Sequence, residues 1–313
     1  MRAVGVVEFG GPDVLRVVEL PDPHAGAGEM RIRVHAATVN PTDTYTRNGS
    51  RAERLRADPP PYVPGMDVAG VLDEIGEGVT SELATGDHVM AIVVPGGSRG
   101  GYAEYVVVPA ASVARSPRGA NDAEASTLPM NGLTARQALD RLDLAPGQTL
   151  GVTGAAGAFG GYVVQVAKAQ GLRVIADASE ADEALVHSLG ADVVVRRGAD
   201  VASRIREVLP DGVDALADGA VLDGLVSAAV RDGGGIATVR GYDEPSPERG
   251  IRFHPVWVRE YAREQAKLDQ LRQLVEEGRI TLRVAQTFRP EDAAEAHRRL
   301  EAGGIRGRLV LEF

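Results

Sequence analysis

Thr149-Leu-Gly-Val-Thr-Gly-Ala-Ala-Gly-Ala-Phe-Gly-Gly161 is the stretch whose reading decides the fold. An apolar run enters it, and Gly154, Gly157, Gly160 and Gly161 crowd into a turn. A helical pattern leaves it, with Phe159, Val163, Val166, Ala167 and Gln170 stepping along one face until Gly171 closes it. Strand, glycine turn and helix together place a pyrophosphate on unpaired backbone N–H groups at a helix N-terminus. One glycine serves the tight turn, one the close approach of phosphate, and one the packing of helix on strand. Ala155 holds the first position of the usual G-x-G-x-x-G frame, giving A-A-G-A-F-G. Glycine-rich turns often do no more than join a strand to a helix, so context has to carry the assignment. A further strand at 172–176 ends at acidic Asp177, about 20 residues past the turn, as a ribose-binding acid does. Dinucleotide binding by Ala155, Ala156, Gly157, Ala158, Phe159 and Gly160 is therefore expected.

Working outward, strand and helix patterns alternate: strand 149–153, helix 160–170, strand 172–176, helix 181–189 and strand 192–195. Helix 201–209, strand 213–217, helix 221–230 and strand 235–240 follow, and 251–254 adds a short sixth strand. Such alternation implies a parallel sheet with helices on both faces. Upstream, the first 118 residues are rich in strands and turns, with runs at 3–7, 14–18, 30–39, 68–75, 88–94 and 103–108. That spacing suggests a small barrel or sandwich. The Asp58-Pro-Pro-Pro-Tyr-Val-Pro-Gly65 segment reads as a rigid loop. Downstream, helices are expected at 259–277 and from Pro290 to about Gly303. A closing strand at 308–313 lies outside the alternation and is expected to return to the N-terminal domain.

At 313 residues, two domains are the natural expectation, and 44% hydrophobic content fills real cores. Cysteine is absent, which excludes disulfides, thiolate nucleophiles and cysteine-ligated metals. Residues 1–19 alternate as a strand does and carry no basic-then-apolar leader, and no apolar run reaches bilayer length. A cytoplasmic protein with no membrane partner is expected. A net charge of −10 argues against a nucleic-acid surface, which needs clustered Lys and Arg.

Several ordered motifs carry a resemblance. They are Ala37-Thr-Val-Asn-Pro-Thr-Asp-Thr-Tyr-Thr-Arg-Asn-Gly49, Pro64-Gly-Met-Asp-Val-Ala-Gly70, Gly86-Asp-His-Val89 and Gly100-Gly-Tyr-Ala-Glu-Tyr-Val106. Gly132-Leu-Thr-Ala135, the A-A-G-A-F-G turn, Ala296-His-Arg-Arg-Leu300 and Gly307-Arg-Leu-Val-Leu311 complete the set. Together they span nearly the whole chain, which resembles the zinc-free quinone oxidoreductase (zeta-crystallin-like) branch of the medium-chain dehydrogenase/reductases. The resemblance implies an α/β fold: a GroES-like β-barrel-type catalytic domain at 1–118 and 261–313, and a Rossmann doubly wound parallel-sheet domain at 119–260. It also implies a homodimer joined through the Rossmann sheet edge near 250–254.

Alcohol-dehydrogenase relatives hold catalytic zinc with Cys, His and Cys. The positions matching the first two ligands are Asn40 and Met66 here, so no metal is expected. Without a Lewis acid, the implied reaction is reduction of an electrophilic acceptor: a quinone, or alternatively an enoyl or alkenal C=C bond. A non-catalytic NADPH-binding protein is the alternative of a different class.

In similar proteins the N-P-x-D-x-Y segment lies at the nicotinamide end of the cleft. Asn40 is the candidate hydrogen-bond partner of cofactor or acceptor, and Tyr45 the candidate donor of a hydrogen bond or proton. Asp43 reads as a cap of the following turn. Thr134, Val239, Arg240 and Gly241 are candidate nicotinamide-side contacts, and Tyr62, Phe253 and Trp257 candidate walls of an apolar acceptor pocket. His88 and His297 sit in framework motifs and read as structural.

For the coenzyme, the residues pull both ways. Asp177 favours NADH, and Glu183 stands where similar NADPH enzymes often carry lysine. Ala155, Ser179 and the pair Arg196 and Arg197 favour a 2′-phosphate. NADPH is expected ahead of NADH.

Overall fold

The computed structural model describes residues 1–50 and 52–313. The chain divides into a first unit of Met1–Met130, Ala262–Glu276 and Leu282–Phe313, and a second of Asn131–Tyr261 and Glu277–Thr281. The first unit opens with β1 (Arg2–Gly5), β2 (Arg16–Glu19), β3 (Glu29–Val39), helix α1 (Pro41–Asn48) and the short α2 (Ala52–Leu55). β4 (Asp67–Ile75), β5 (His88–Ile92), β6 (Tyr105–Pro109), β7 (Val113–Arg115) and α3 (Asp122–Ala125) follow.

Alternating apolar residues on β3 bury Met30, Ile32 and Val34 in a core shared with Leu72, Val89 and Tyr102. Each such Leu or Ile contributes about 1.5–3 kcal/mol by leaving water.

The second unit begins within α4 (Pro129–Leu142) and alternates as expected: β8 (Thr149–Thr153), α5 (Ala158–Ala169), β9 (Arg173–Ala178), α6 (Glu183–Ser188) and β10 (Val193–Arg196). α7 (Val201–Val208), β11 (Val213–Asp218), β12 (Val230–Thr238) and β13 (Arg252–Pro255) complete it. The six strands run parallel in the order β10-β9-β8-β11-β12-β13. Strand order reverses between β8 and β11, the switch point at which open α/β sheets receive ligands.

The tail supplies α8 (Gln265–Glu276), β14 (Val284–Phe288), α9 (Ala293–Ala302) and β15 (Arg308–Glu312). β15 pairs antiparallel with β3, Leu309 opposite Val39, so the last strand does complete the N-terminal unit's sheet.

Several boundaries differ from the periodic pattern. The expected helix at 221–230 is a 3-10 run, Asp223–Ala229. Asp218 accepts the N–H groups of Leu222 (2.8 Å) and Asp223 (2.7 Å), and Val221 and Asp223 both hold positive φ of 57°, which breaks an α-helical start. The expected helix at 259–277 splits into a 3-10 turn, Val258–Tyr261, and α8. The helix expected from Pro290 opens as a 3-10 turn before α9. β7, β14 and α1 had no counterpart in the pattern, being short or polar.

Candidate functional site

In the second unit, the switch-point turn is built on backbone. Gly154 has φ 65°, and a Cβ there would lie 2.7 Å from the Gly219 carbonyl carbon. A Cβ on Gly160 would lie 2.4 Å from the Gly154 oxygen, so glycine lets α5 start directly against β8. Gly157 caps α5 without a side chain. The N–H groups of Ala158, Phe159 and Gly160 belong to the first helical turn, which has no partner within the helix. A dinucleotide pyrophosphate fits this end, because the first-turn amides and the helix dipole both favour an anion.

Two buried acids brace the turn. Asp177, at the end of β9, is 4% exposed and accepts from the Ala155 N–H at 3.2 Å. Burial raises its pKa against the pull of the Ala155 and Gly154 amides and of Arg197. Asp218 accepts from the Thr153 hydroxyl at 2.5 Å, and that hydroxyl oxygen in turn accepts from the Ala220 N–H at 3.2 Å. Both acids therefore fix loops at the switch point.

The loop after β9 carries Ser179, whose hydroxyl donates to buried Asp182. Register sets Arg196 beside Ala178, and the Arg197 N–H donates to the Ala178 carbonyl at 2.8 Å. Arg196 also pairs with exposed Glu180 at 3.5 Å, while Glu183 lies exposed at the start of α6. Ser179, Arg196 and Arg197 thus come together at the ends of β9 and β10.

Thr134 is 9% exposed on α4. Val239 follows β12, and Arg240 and Gly241 turn with φ of 64° and 83°. The Trp257 ring lies so close to Gly241 that a Cβ there would come within 2.4 Å of it, and Trp257 itself is 45% exposed. Phe253 packs edge-on to Tyr242, centroids 5.9 Å apart.

The first unit holds a buried polar network. Asn40 precedes α1, and its N–H donates to Asp43 Oδ2 at 2.8 Å. Its amide nitrogen donates to Asp67 at 2.6 Å and to the Thr38 carbonyl at 3.2 Å, and its amide oxygen accepts from Arg308. Arg308 also donates to the Val39 carbonyl at 2.7 Å. Asp43 is fully committed as well, accepting from the Gly65 N–H and the Tyr102 hydroxyl, each at 3.0 Å. Its capping role is therefore one part of a larger one.

Direction can be assigned along the rest of the chain. Arginine has no acceptor, so Arg47 donates to His297 Nδ1 at 3.3 Å. That leaves the proton of a neutral His297 on Nε2, facing Tyr102 Oη at 3.3 Å, and the Tyr102 hydroxyl donates to Asp43. Burial, then the Arg47 charge, lowers the His297 pKa to about 3. Burial pushes Asp43 up to about 6 and Asp67 up to about 7, against the pull of their donors and of Arg308.

Tyr45 is half-buried on α1, two residues from Asp43 and two from Arg47, a spacing that puts it on a different face of the helix. Tyr62 is buried and stacks on Phe9, centroids 5.2 Å apart. Thr42 donates to the Met66 sulfur at 3.3 Å. Among the described residues no group of three or more His, Asp and Glu is placed to hold a metal ion.

Sequence reasoning missed Asp67, Tyr102, Arg47 and Arg308 as a unit and took His297 as framework. Their signal was present: Asn40 and Asp43 together, Asp67, Tyr102, His297 and Arg308 each come from a different one of the motifs that carry the resemblance.

Comparison with known proteins agrees with this geometry. A profile for the alcohol dehydrogenase GroES-like domain matches residues 26–118, and one for zinc-binding dehydrogenases matches residues 189–311. A mouse quinone oxidoreductase is 31% identical over 336 residues, covering 99% of this chain and 97% of its own. An Arabidopsis thaliana NADPH-dependent alkenal/one oxidoreductase is 33% identical, covering 81% of this chain and 65% of its own. Among solved structures, an NAD-dependent alcohol dehydrogenase superposes with a TM-score of 0.87 at 32% identity, and a mycobacterial protein complexed with NADPH with 0.86 at 30%, each covering 100% of both chains. The full-length match to quinone oxidoreductase, on a GroES-like unit and a Rossmann unit, means that the chain belongs to the zeta-crystallin-like quinone oxidoreductases of the medium-chain dehydrogenase/reductase superfamily.

Proposed function

We propose that this protein is a zinc-independent reductase that passes a hydride from NADPH to a quinone. The switch-point turn carries this reading: a helix N-terminus with no side-chain cap, reached through Gly154 and Gly160 and braced by Asp177. The N–H groups of Ala158, Phe159 and Gly160 are the proposed donors to the pyrophosphate. Ala156 and Gly157 line the turn beside it, the Gly157 N–H being held by the Gly154 carbonyl at 2.9 Å. Thr134, Val239 and Gly241 are proposed contacts of the nicotinamide. A reduced nicotinamide bound there supplies the hydride.

Asp177 is 4% exposed and turned to the Ala155 amide, which supports a bracing role over acceptance from the ribose hydroxyl that marks NADH use. Ser179, Arg196 and Arg197 are the proposed 2′-phosphate groups, which supports NADPH ahead of NADH. Asn40, with both ends of its amide held by protein, is best placed as a positioning residue for α1. Tyr45 is the proposed donor to the acceptor oxygen. A quinone that receives a hydride becomes a hydroquinone anion and takes its proton from water, so Tyr45 assists and is not required.

Reduction of an activated alkene is the second reading, favoured by the similarity to the alkenal/one oxidoreductase. Following coenzyme oxidation with quinones, enals and enoyl thioesters decides between them: quinones are expected to turn over fastest, and an enal preferred by a wide margin would reverse the order.

A homodimer through β13 is also proposed. That strand closes the sheet order, and an open strand edge invites pairing. A monomer mass by light scattering at micromolar concentration would refute it.

A further inference from the structure

We propose that Asp182 is the residue that restrains this site's selectivity for a 2′-phosphate, by accepting the hydrogen bond of Ser179 and setting a buried carboxylate beside it. The inference rests on nicotinamide-coenzyme binding at the switch-point turn.

Ser179 follows β9 directly, where a Rossmann sheet receives the adenosine ribose. A hydroxyl there can donate one hydrogen bond, and it donates it to Asp182 Oδ2. Asp182 is 6% exposed, so its charge is poorly screened by water. The other acids nearby act differently. Asp177 turns to the Ala155 amide, and Glu180 is 90% exposed at its side chain and already paired with Arg196. Glu183 is exposed. Arg196 and Arg197 supply positive charge, but the only hydroxyl donor of this loop is committed to a carboxylate.

The consequence is specific. An adenosine 2′-phosphate meets two arginines together with a carboxylate and a hydroxyl whose proton points elsewhere. A free 2′-hydroxyl carries no charge for that carboxylate to repel. Asp182 therefore narrows the gap between NADPH and NADH, and the serine contributes less while the acid is present than it would without it.

The test is a double-mutant cycle read by calorimetric titration with NADPH and with NADH, with thermal melts as the check on folding. Asp182→Asn keeps shape and removes charge; it is expected to tighten NADPH about tenfold and to change NADH by less than about threefold. Ser179→Ala is expected to weaken NADPH less in the parent protein than in the Asp182→Asn background, where it cancels most of the gain. Equal shifts for both coenzymes, or a Ser179→Ala loss as large in the parent protein as in the Asp182→Asn background, would overturn the proposal, and Asp182→Ala serves the same cycle if Asp182→Asn folds poorly. If neither coenzyme binds the parent protein, the coenzyme-site reading fails first and the proposal falls with it.

Discussion

The Asp177 carboxylate accepts a hydrogen bond from the Ala155 N–H at 3.2 Å, joining the end of β9 to the start of the glycine turn. The acid that sequence position assigns to a ribose is thus built into the phosphate loop. Asp177→Asn keeps the shape but reverses one donor–acceptor face. It is expected to weaken both coenzymes together by about tenfold, because removing a charged hydrogen-bond acceptor costs about 1.5–3 kcal/mol. Selective loss of NADH binding, measured by fluorescence titration, would show the ribose role instead.

Gly160→Ala places a methyl 2.4 Å from the Gly154 oxygen. Backbone must move to admit it, at a cost of about 1–3 kcal/mol of stability. Coenzyme binding is expected to be lost while the first unit's core is untouched. Urea unfolding and coenzyme titration on one preparation check both parts.

Arg308 is the buried cation that offsets Asp43 and Asp67. Arg308→Met leaves buried carboxylates without it and is expected to destabilise the protein by about 3–5 kcal/mol. Adding Asp67→Asn should recover a substantial part of that loss. A double variant no more stable than Arg308→Met in denaturant melts would mean that charge is not what Arg308 supplies.

His297 gives a pH signature. Its pKa is lowered from 6.5 to about 3 by burial and by Arg47. The unfolded chain therefore binds a proton that the folded one refuses. Stability from neutral His297 is complete above about pH 6.5 and is lost as pH falls toward 3, by up to about 1.4 kcal/mol per unit. Asp43 and Asp67, raised to about 6 and about 7, act in the opposite sense: their contribution is present at low pH and is lost as pH rises through those values. The terms are separated by comparison with His297→Gln, in which the two acids remain. The stability advantage of the parent protein over this variant is expected to shrink steadily from pH 6.5 to 4.5. A constant difference would contradict a neutral, buried His297.

Tyr45→Phe separates acceptors. An enolate left by hydride addition benefits from a placed donor, whereas a quinone product takes its proton from water. The substitution is expected to slow an enone by about a hundredfold, in the range of general acid catalysis, and a quinone much less. Equal and negligible effects on both would leave Tyr45 with packing alone.

Much of this was legible in the residues. Alternation from Thr149 onward gave the parallel sheet, and the tail strand at Arg308 was recognisable because nothing in that alternation could use it. The glycine turn was readable because Gly154 and Gly160 are irreplaceable for steric reasons that act locally. What stayed hidden depends on distant pairs. Asn40 looked like a ligand to cofactor because sequence shows its chemistry but not its partners, Asp67 and Arg308, which lie 27 and 268 residues away. The same holds for Asp182: its hydrogen bond to Ser179 is local, but sequence does not show that the carboxylate is buried to 6% exposure. The helix expected at 221–230 failed because apolar spacing cannot reveal that Asp218 captures the N–H groups of Leu222 and Asp223.

The central claim is hydride transfer from reduced coenzyme to quinone with no metal. It is tested most directly by oxidation of NADPH carrying deuterium at the transferred position, with a quinone acceptor, with and without chelator. The expected result is one NADPH consumed per quinone, a slower rate with deuterium whenever transfer limits turnover under single-turnover conditions, and no change with chelator. Tight NADPH binding without oxidation by any quinone, or activity that chelator abolishes and zinc restores, would contradict it.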